Sequence, residues 1–261
     1  MKKLLIILAT SIAVGSCGII NLNQERLMQG GAKVVQALSI TDADIQGYVS
    51  QSVAQLDAEN KVISSGNYVT RLKKIVNGIS SVDGIPLNFK VYQNSEVNAF
   101  ACADGSVRVY TGLMDVMNDN EVLGVIGHEI GHVALKHSLN AYKDALLTSA
   151  ALDAVAATGA GAASLTDSTL GQLAEYMVSA KFSRKQETAA DDYGYDFLKA
   201  HGKNPYYMAN AFEKLLDTSS NGTQTQISSI QQLFSSHPDT ASRIERVNKK
   251  AKKEGYTKPA N

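Results

Sequence analysis

The chain has 261 residues, 44% of them hydrophobic and 19% charged, which is globular material long enough for one substantial domain and excludes wholesale disorder. Lysine plus arginine number 25 and aspartate plus glutamate 25, so there is no electrostatic case for nucleic acid as a partner. The two cysteines, Cys17 and Cys102, make neither a disulfide framework nor a thiolate zinc site.

In chain order, Lys2 and Lys3 form a short positive start. Leu4 to Val14 follows as an apolar run of about eleven residues, of secretory-signal length and short of the roughly 20 that span a bilayer. The small residues Gly15 and Ser16 then precede Cys17. Val14-Gly15-Ser16-Cys17 resembles the bacterial lipobox, which implies cleavage before Cys17 and lipid on it. Gly18, where an inner-membrane retention signal would have Asp, implies delivery to the outer membrane, facing the periplasm.

Val34, Val35 and Leu38, and then Ile45, Val49, Val53 and Leu56, recur at helical spacing and predict two helices. Asn67 to Ile79 continues in that style. Beyond Pro86, apolar and polar residues alternate at 87–91 and 107–111, with 97–102 as a further strand and Ala103-Asp104-Gly105 as a turn. The expectation is a small antiparallel meander. Asn118 with Glu121 three places on predicts a capping box opening a helix through His137. The Ala-rich stretch 145–165 predicts closely packed helices, because Asp153 and its Ser, Thr and Gly make it a poor membrane span. Residues 218–232, rich in Ser, Thr, Gln and Asn, predict a surface loop.

The chemistry centres on His128-Glu129-Ile130-Gly131-His132, an HExxH pattern. On a helix, residues four apart share a face, so both imidazoles reach one zinc, and Glu129 beside them can move a proton. The uncharged run Val122 to Gly127 predicts that this helix is buried, and buried imidazoles need a partner such as a metal. Gly124, Gly127 and Gly131 cost a helix interior ~1 kcal/mol each relative to Ala. They predict close backbone approach by a neighbouring element, the sheet being the candidate. A catalytic zinc takes a third protein ligand. A third histidine just downstream would need a glycine and a histidine at positions 135 and 138, where Leu135 and Ser138 stand instead. Glu187 fits, with Asp191 four residues on, placed to accept a hydrogen bond from a ligand imidazole. Cys102 reads as either a small buried hydrophobe or a reactive thiol. His137 and His201 read as structural or surface residues.

Together HEIGHVALKH (128–137), SRKQETAADDYG (183–194), VNAFACADGSVRVYTGLM (97–114) and SHPDTASRIERV (236–247) resemble the HtpX/CAAX-prenyl-protease family of metallopeptidases, and most of all its periplasmic lipoprotein members. The resemblance spans about residues 65–250. It implies one zinc held by His128, His132 and Glu187, with Glu129 as catalytic base. It also implies His237 as donor to the oxyanion, Asp191 and Arg243 as supporting residues, and Asn98, Ala99 and Phe100 as a substrate-binding strand. Where many relatives carry a second Glu, this chain has Ala189.

The fold expected is α+β and mainly helical, a gluzincin metalloprotease domain with a small antiparallel sheet over the HExxH helix. Its expected divisions are a signal peptide (1–16), a lipidated helical segment (17–64), the zinc metallopeptidase domain (65–254) and a tail (255–261). The expected activity is zinc-dependent endoproteolysis of unfolded or misassembled cell-envelope polypeptides. The membrane, through the lipid, and the outer-membrane assembly machinery are the other expected partners. The rival reading is a zinc-stabilised periplasmic chaperone or assembly factor with little proteolysis.

Overall fold

A computed structural model describes residues 40–148 and 167–259. The signal segment, Cys17, the helix expected around Val34, Val35 and Leu38, and most of the Ala-rich stretch lie outside them. Helix α1 (Asp42–Glu59) opens on a Thr41–Asp44 capping box and buries Ile45, Val49, Val53 and Leu56, the stripe expected of it. A short strand β1 (Val62–Ile63), α2 (Asn67–Ile75), and the two-residue strands β2 (Ser81–Val82) and β3 (Ile85–Pro86) follow. Then come β4 (Asn88–Tyr92), β5 (Ala99–Ala101) and β6 (Ser106–Tyr110). The remainder is helical: α3 (Thr111–Val116), α4 (Asp119–Ala134), α5 (His137–Thr148), α6 (Asp167–Ser179), α7 (Arg184–Ala200), α8 (Tyr206–Asn221), α9 (Gln224–Ser236) and α10 (Thr240–Lys253). No helix among the described residues is long and apolar enough to cross a membrane. The fold is α+β and mainly helical.

The sheet differs from the expected meander. Its order is β1-β4-β6-β5, and β4 runs parallel to β6, Asn88 facing Ser106 through to Tyr92 facing Tyr110. Among the described residues this sheet's other pairs, β1–β4 and β5–β6, are antiparallel, as is the separate β2–β3 pair. The reason lies in 93–98, which is no hairpin. It crosses over Gly112, where a Cβ would come within 2.3 Å of the Ser95 and Glu96 carbonyl oxygens. That crossing carries β5 to the outer edge, and the tight turn at Gly105 (φ 86) returns the chain between β4 and β5 as β6.

Alternation along the strands sends side chains to two cores. Val91, Ala99, Ala101, Val107 and Val109 meet α4 and α8 on one face. Tyr92, Phe100, Cys102 and Tyr110 meet α1, α5 and α6 on the other.

Three further expectations are corrected. Helix α4 stops at Ala134, because Lys136 takes a left-handed conformation (φ 57), and His137 starts the next helix. The segment 218–232 is no loop. It is the end of α8 and most of α9, whose start is fixed by a Thr223–Gln226 capping box and whose Gln224, Thr225, Ser228, Gln231 and Gln232 are exposed while Ile230 is buried. Finally, the glycines of α4 admit helices rather than the sheet. A Cβ at Gly127 would sit 2.8 Å from Phe197, one at Gly131 3.0 Å from the Ala190 carbonyl oxygen, and one at Gly124 3.0 Å from the Met208 backbone.

Candidate metal centre

Helix α4 is buried from Glu121 to Val133, and its His128 and His132 project on one face toward α7. Because Gly127 and Gly194 lack side chains, α4 and α7 approach closely enough for Glu187 and Asp191 to reach those imidazoles. Both carboxylates have 0% exposure.

The donor atoms converge. His128 Nε2 lies 3.2 Å from His132 Nε2, and His132 Nε2 lies 3.3 Å from Glu187 Oε1. The second Glu187 oxygen is 3.6 Å from His128 Nε2. His237, just after α9, brings Nδ1 to 3.3 Å from His128 Nε2 and 3.1 Å from Glu187 Oε1. Ligand atoms of these four residues all lie within 4.8 Å of one another. A tetrahedral zinc site with bonds of ~2.0–2.1 Å to nitrogen and oxygen has edges of roughly 3.4 Å, which these separations match. The chemistry of the set also fits. Two lone-pair nitrogens and a carboxylate facing each other without a cation would repel.

The surrounding shell prepares these groups. Asp191 Oδ1 lies 3.0 Å from His128 Nδ1, which places the imidazole proton there and leaves Nε2 free as a donor atom. Arg243 grips Asp191 with both Nε (2.9 Å) and Nη2 (2.7 Å), and Glu187 with Nη1 (2.6 Å). It also lies over the Phe212 ring at 4.6 Å. Burial alone would raise the Glu187 and Asp191 carboxyls. The polar contacts of His132 and His237 with Glu187, and hydrogen bonds from Arg243 and His128 to Asp191, hold both well below the usual carboxylate range. Burial pushes His132 well below the usual histidine value, so it is neutral. Burial also pushes Glu129 up, against the pull of His237 and His128. In His237 burial opposes the charge, but Glu187 and Glu129 outweigh it and raise the value.

Two openings meet at Glu129. One is a cleft bounded by residues 98–103, Tyr142, Phe182, Leu233 and His237. The other is an apolar pocket formed by Leu113, Val125, Phe212, Leu215 and Phe234. Strand β5 forms the sheet edge. Asn98 and Cys102 turn their backbone groups to β6, accepting from Tyr110 N–H and donating to the Ser106 carbonyl. By alternation Phe100 does the same, while Ala99 and Ala101 face the free edge. Ser138 donates to the Ala101 carbonyl at 3.3 Å. The Phe100 ring packs against Tyr92 and Tyr110. Cys102 is buried at 2% exposure and burial raises its thiol, which favours the small-hydrophobe alternative.

Some residues at the site had no sequence signal. Phe182 stacks on His132, centroids 3.9 Å apart, and Phe212 meets His128 edge-on at 5.7 Å. His137, read from the sequence as structural or surface, brings Nδ1 to 3.1 Å from His132 Nδ1. His201 lies away from the centre, on the Phe197 carbonyl.

The sequence profile of peptidase family M48 matches residues 69–251. Among known proteins, the chain is similar to "Metalloprotease YcaL" of Escherichia coli strain K12, at 40% identity over 94% of this chain and 95% of that one. It is similar to "Metalloprotease LoiP" of the same organism at 38% identity, over 98% of this chain and 99% of that one. A shorter match, 35% identical over 51% of this chain and 28% of the other, is to an E. coli "Beta-barrel assembly-enhancing protease".

Proposed function

The chain belongs to peptidase family M48 and is a zinc metallopeptidase, and on that premise we propose that it is an endopeptidase acting on unfolded or misassembled cell-envelope proteins. His128, His132 and Glu187 hold the zinc in this reading. Bound there, zinc supplies Lewis acidity, which brings the pKa of a water toward neutrality. Glu129 takes that water's proton and returns it to the leaving amine. Its raised pKa suits the task, since a general base works best near the operating pH. His237 donates an N–H to the oxygen that develops negative charge on the scissile carbonyl. Its Nδ1 sits among the metal donors, while Nε2, 4.0 Å from Glu129 Oε1, is the nitrogen on the cleft side that serves this duty.

The polypeptide binds as an added strand on β5, where Ala99 and Ala101 offer backbone groups at the edge beside Glu129. Backbone pairing accepts an extended chain with little regard to sequence, which suits unfolded substrates. Within this proposal Cys17 carries the lipid and holds the enzyme at the outer membrane. The Lys2–Lys3 start, the apolar run and the small residues before Cys17 support that placement. The shorter match, a protease named for enhancing β-barrel assembly, supports a link to the assembly machinery.

The single observation that carries the enzymatic reading is Glu129 beside the donor set at the meeting of two openings. Among the described residues its one ion-pair partner is His237, 4.0 Å away, so it has no structural task that a binding module would need. Casein digestion by wild type, Glu129→Gln and chelator-treated protein tests it. Wild type should cleave, and Glu129→Gln should keep its zinc yet lose activity by at least about 100-fold. Equal cleavage by wild type and Glu129→Gln rejects the mechanism. For the anchor, palmitate label should appear on wild type and vanish in Cys17→Ala.

A further inference from the structure

The two imidazoles of the HExxH turn are oriented by unlike partners. His128 has a carboxylate on its far nitrogen, Asp191 at 3.0 Å. Among the described residues His132 has none there. Its Nε2 faces the donor set, at 3.2 Å from His128 Nε2 and 3.3 Å from Glu187 Oε1, so as a ligand it must carry its proton on Nδ1. The atom 3.1 Å from that Nδ1 is Nδ1 of His137. Two facing imidazole nitrogens form a hydrogen bond only when one bears the proton and the other a lone pair. With His132 the donor, His137 is the acceptor, and its own proton sits on Nε2.

We propose that His137 is the positioning residue for His132: a neutral imidazole accepting the His132 Nδ1 proton, so that Nε2 is offered to the zinc. The inference rests on the zinc site proposed above. The backbone is built to supply this acceptor. After α4 ends, Lys136 in a left-handed conformation turns the chain, so that His137 opens α5 and its ring meets His132 at a centroid distance of 5.1 Å, inclined by 63°. Phe182, stacked on the His132 ring at 3.9 Å and 29°, covers a face of that ring and limits its rotation. Of the two ways to fix an imidazole, ring packing and a hydrogen bond, only the second selects a tautomer. That is the part assigned to His137.

The test compares zinc affinity, by competition with a chromophoric chelator, in wild type, His137→Leu and His137→Asn. Asn places an acceptor oxygen near the Nδ1 position and Leu places none. Removal of an outer hydrogen-bond partner typically weakens a metal site by about 10–100-fold. His137→Leu should fall in that range, and His137→Asn should stay within about threefold of wild type. Unchanged affinity in His137→Leu, or equal loss in both variants, overturns the proposal, the latter because packing would then be the cause. Should His137→Leu fail to fold, nitrogen-15 NMR of the zinc-loaded wild type decides. His137 is expected to carry its proton on Nε2 and to accept at Nδ1, and a proton on His137 Nδ1 overturns the assignment. A His132→Ala control that loses no zinc would instead sink the site itself, a separate failure.

Discussion

Arg243 holds together two carboxylates that would otherwise repel at the bottom of the site. Glu187 and Asp191 have 0% exposure and lie one helical turn apart on α7, and the guanidinium bonds to both. Removing one member of such a buried group leaves an uncompensated charge, which typically costs about 3–5 kcal/mol. Arg243→Met should therefore lose stability on that scale in the zinc-free protein. With zinc bound the loss should be smaller, because a second cation then faces Glu187. Urea unfolding with and without zinc measures both, and equal losses would mean that Arg243 and the metal do not share the carboxylate. Arg243→Lys should not restore the site, since a single ammonium cannot present the parallel donors that Asp191 accepts. At this scale the sequence was readable only in part. The HExxH spacing declares its own geometry, and Glu187 with Asp191 follows from the same four-residue period. His137 carries no such mark. Its approach to His132 depends on the left-handed break at Lys136, and an apolar-periodicity reading runs the helix straight through that residue.

At the level of elements, the site depends on how closely α4 and α7 approach. Of the glycines between them Gly194 makes the tightest approach to backbone, for a Cβ there would lie 2.9 Å from the His128 backbone nitrogen and 3.0 Å from Met208 Sδ. The neighbouring backbone cannot yield locally, so Gly194→Ala must push the helices apart and draw Glu187 away from the imidazoles. The expected result is a loss of about 1–3 kcal/mol in stability, together with zinc affinity weakened roughly tenfold. Thermal unfolding and chelator competition read the two effects. Unchanged zinc affinity would show that the donor set is held independently of the helix contact. The glycines of α4 announced a close neighbour but not which one, because a small residue records the space and not the identity of what fills it. Direction was equally hidden in the sheet. Alternation marks β4 and β6 as strands, but their parallel pairing follows from the crossing at 93–98, where periodicity carries no signal. Composition alone marks α9 as a loop, although Thr223 and Gln226 stand at capping-box spacing, the same signal that opens α4 at Asn118.

For the whole molecule, the question is what lies behind the edge strand that lines the cleft. The back of the sheet is covered by α1, outside the residues matched by the family profile. Asp57 on this helix accepts from Arg108 Nε (2.8 Å) and Nη2 (3.0 Å), from Lys90 (2.7 Å) and from Tyr92 (2.7 Å), joining α1 to β4 and β6. Arg108 is itself 1% exposed and stands opposite Phe100 of β5. Burial would raise the Asp57 carboxyl, but the bonds from Arg108, Lys90 and Tyr92 prevail and lower it to about 2. A depressed carboxylate stabilises the fold fully above its ordinary value of 3.8 and loses that contribution as pH falls through about 2. The shift corresponds to roughly 2 kcal/mol. Stability from urea titrations should decline between about pH 4 and pH 2, and Asp57→Asn should flatten that decline while starting several kcal/mol lower, its Arg108 left buried without a full counter-charge. If wild type and Asp57→Asn lose stability in parallel over that range, the link between α1 and the sheet is not what holds the strand against the cleft.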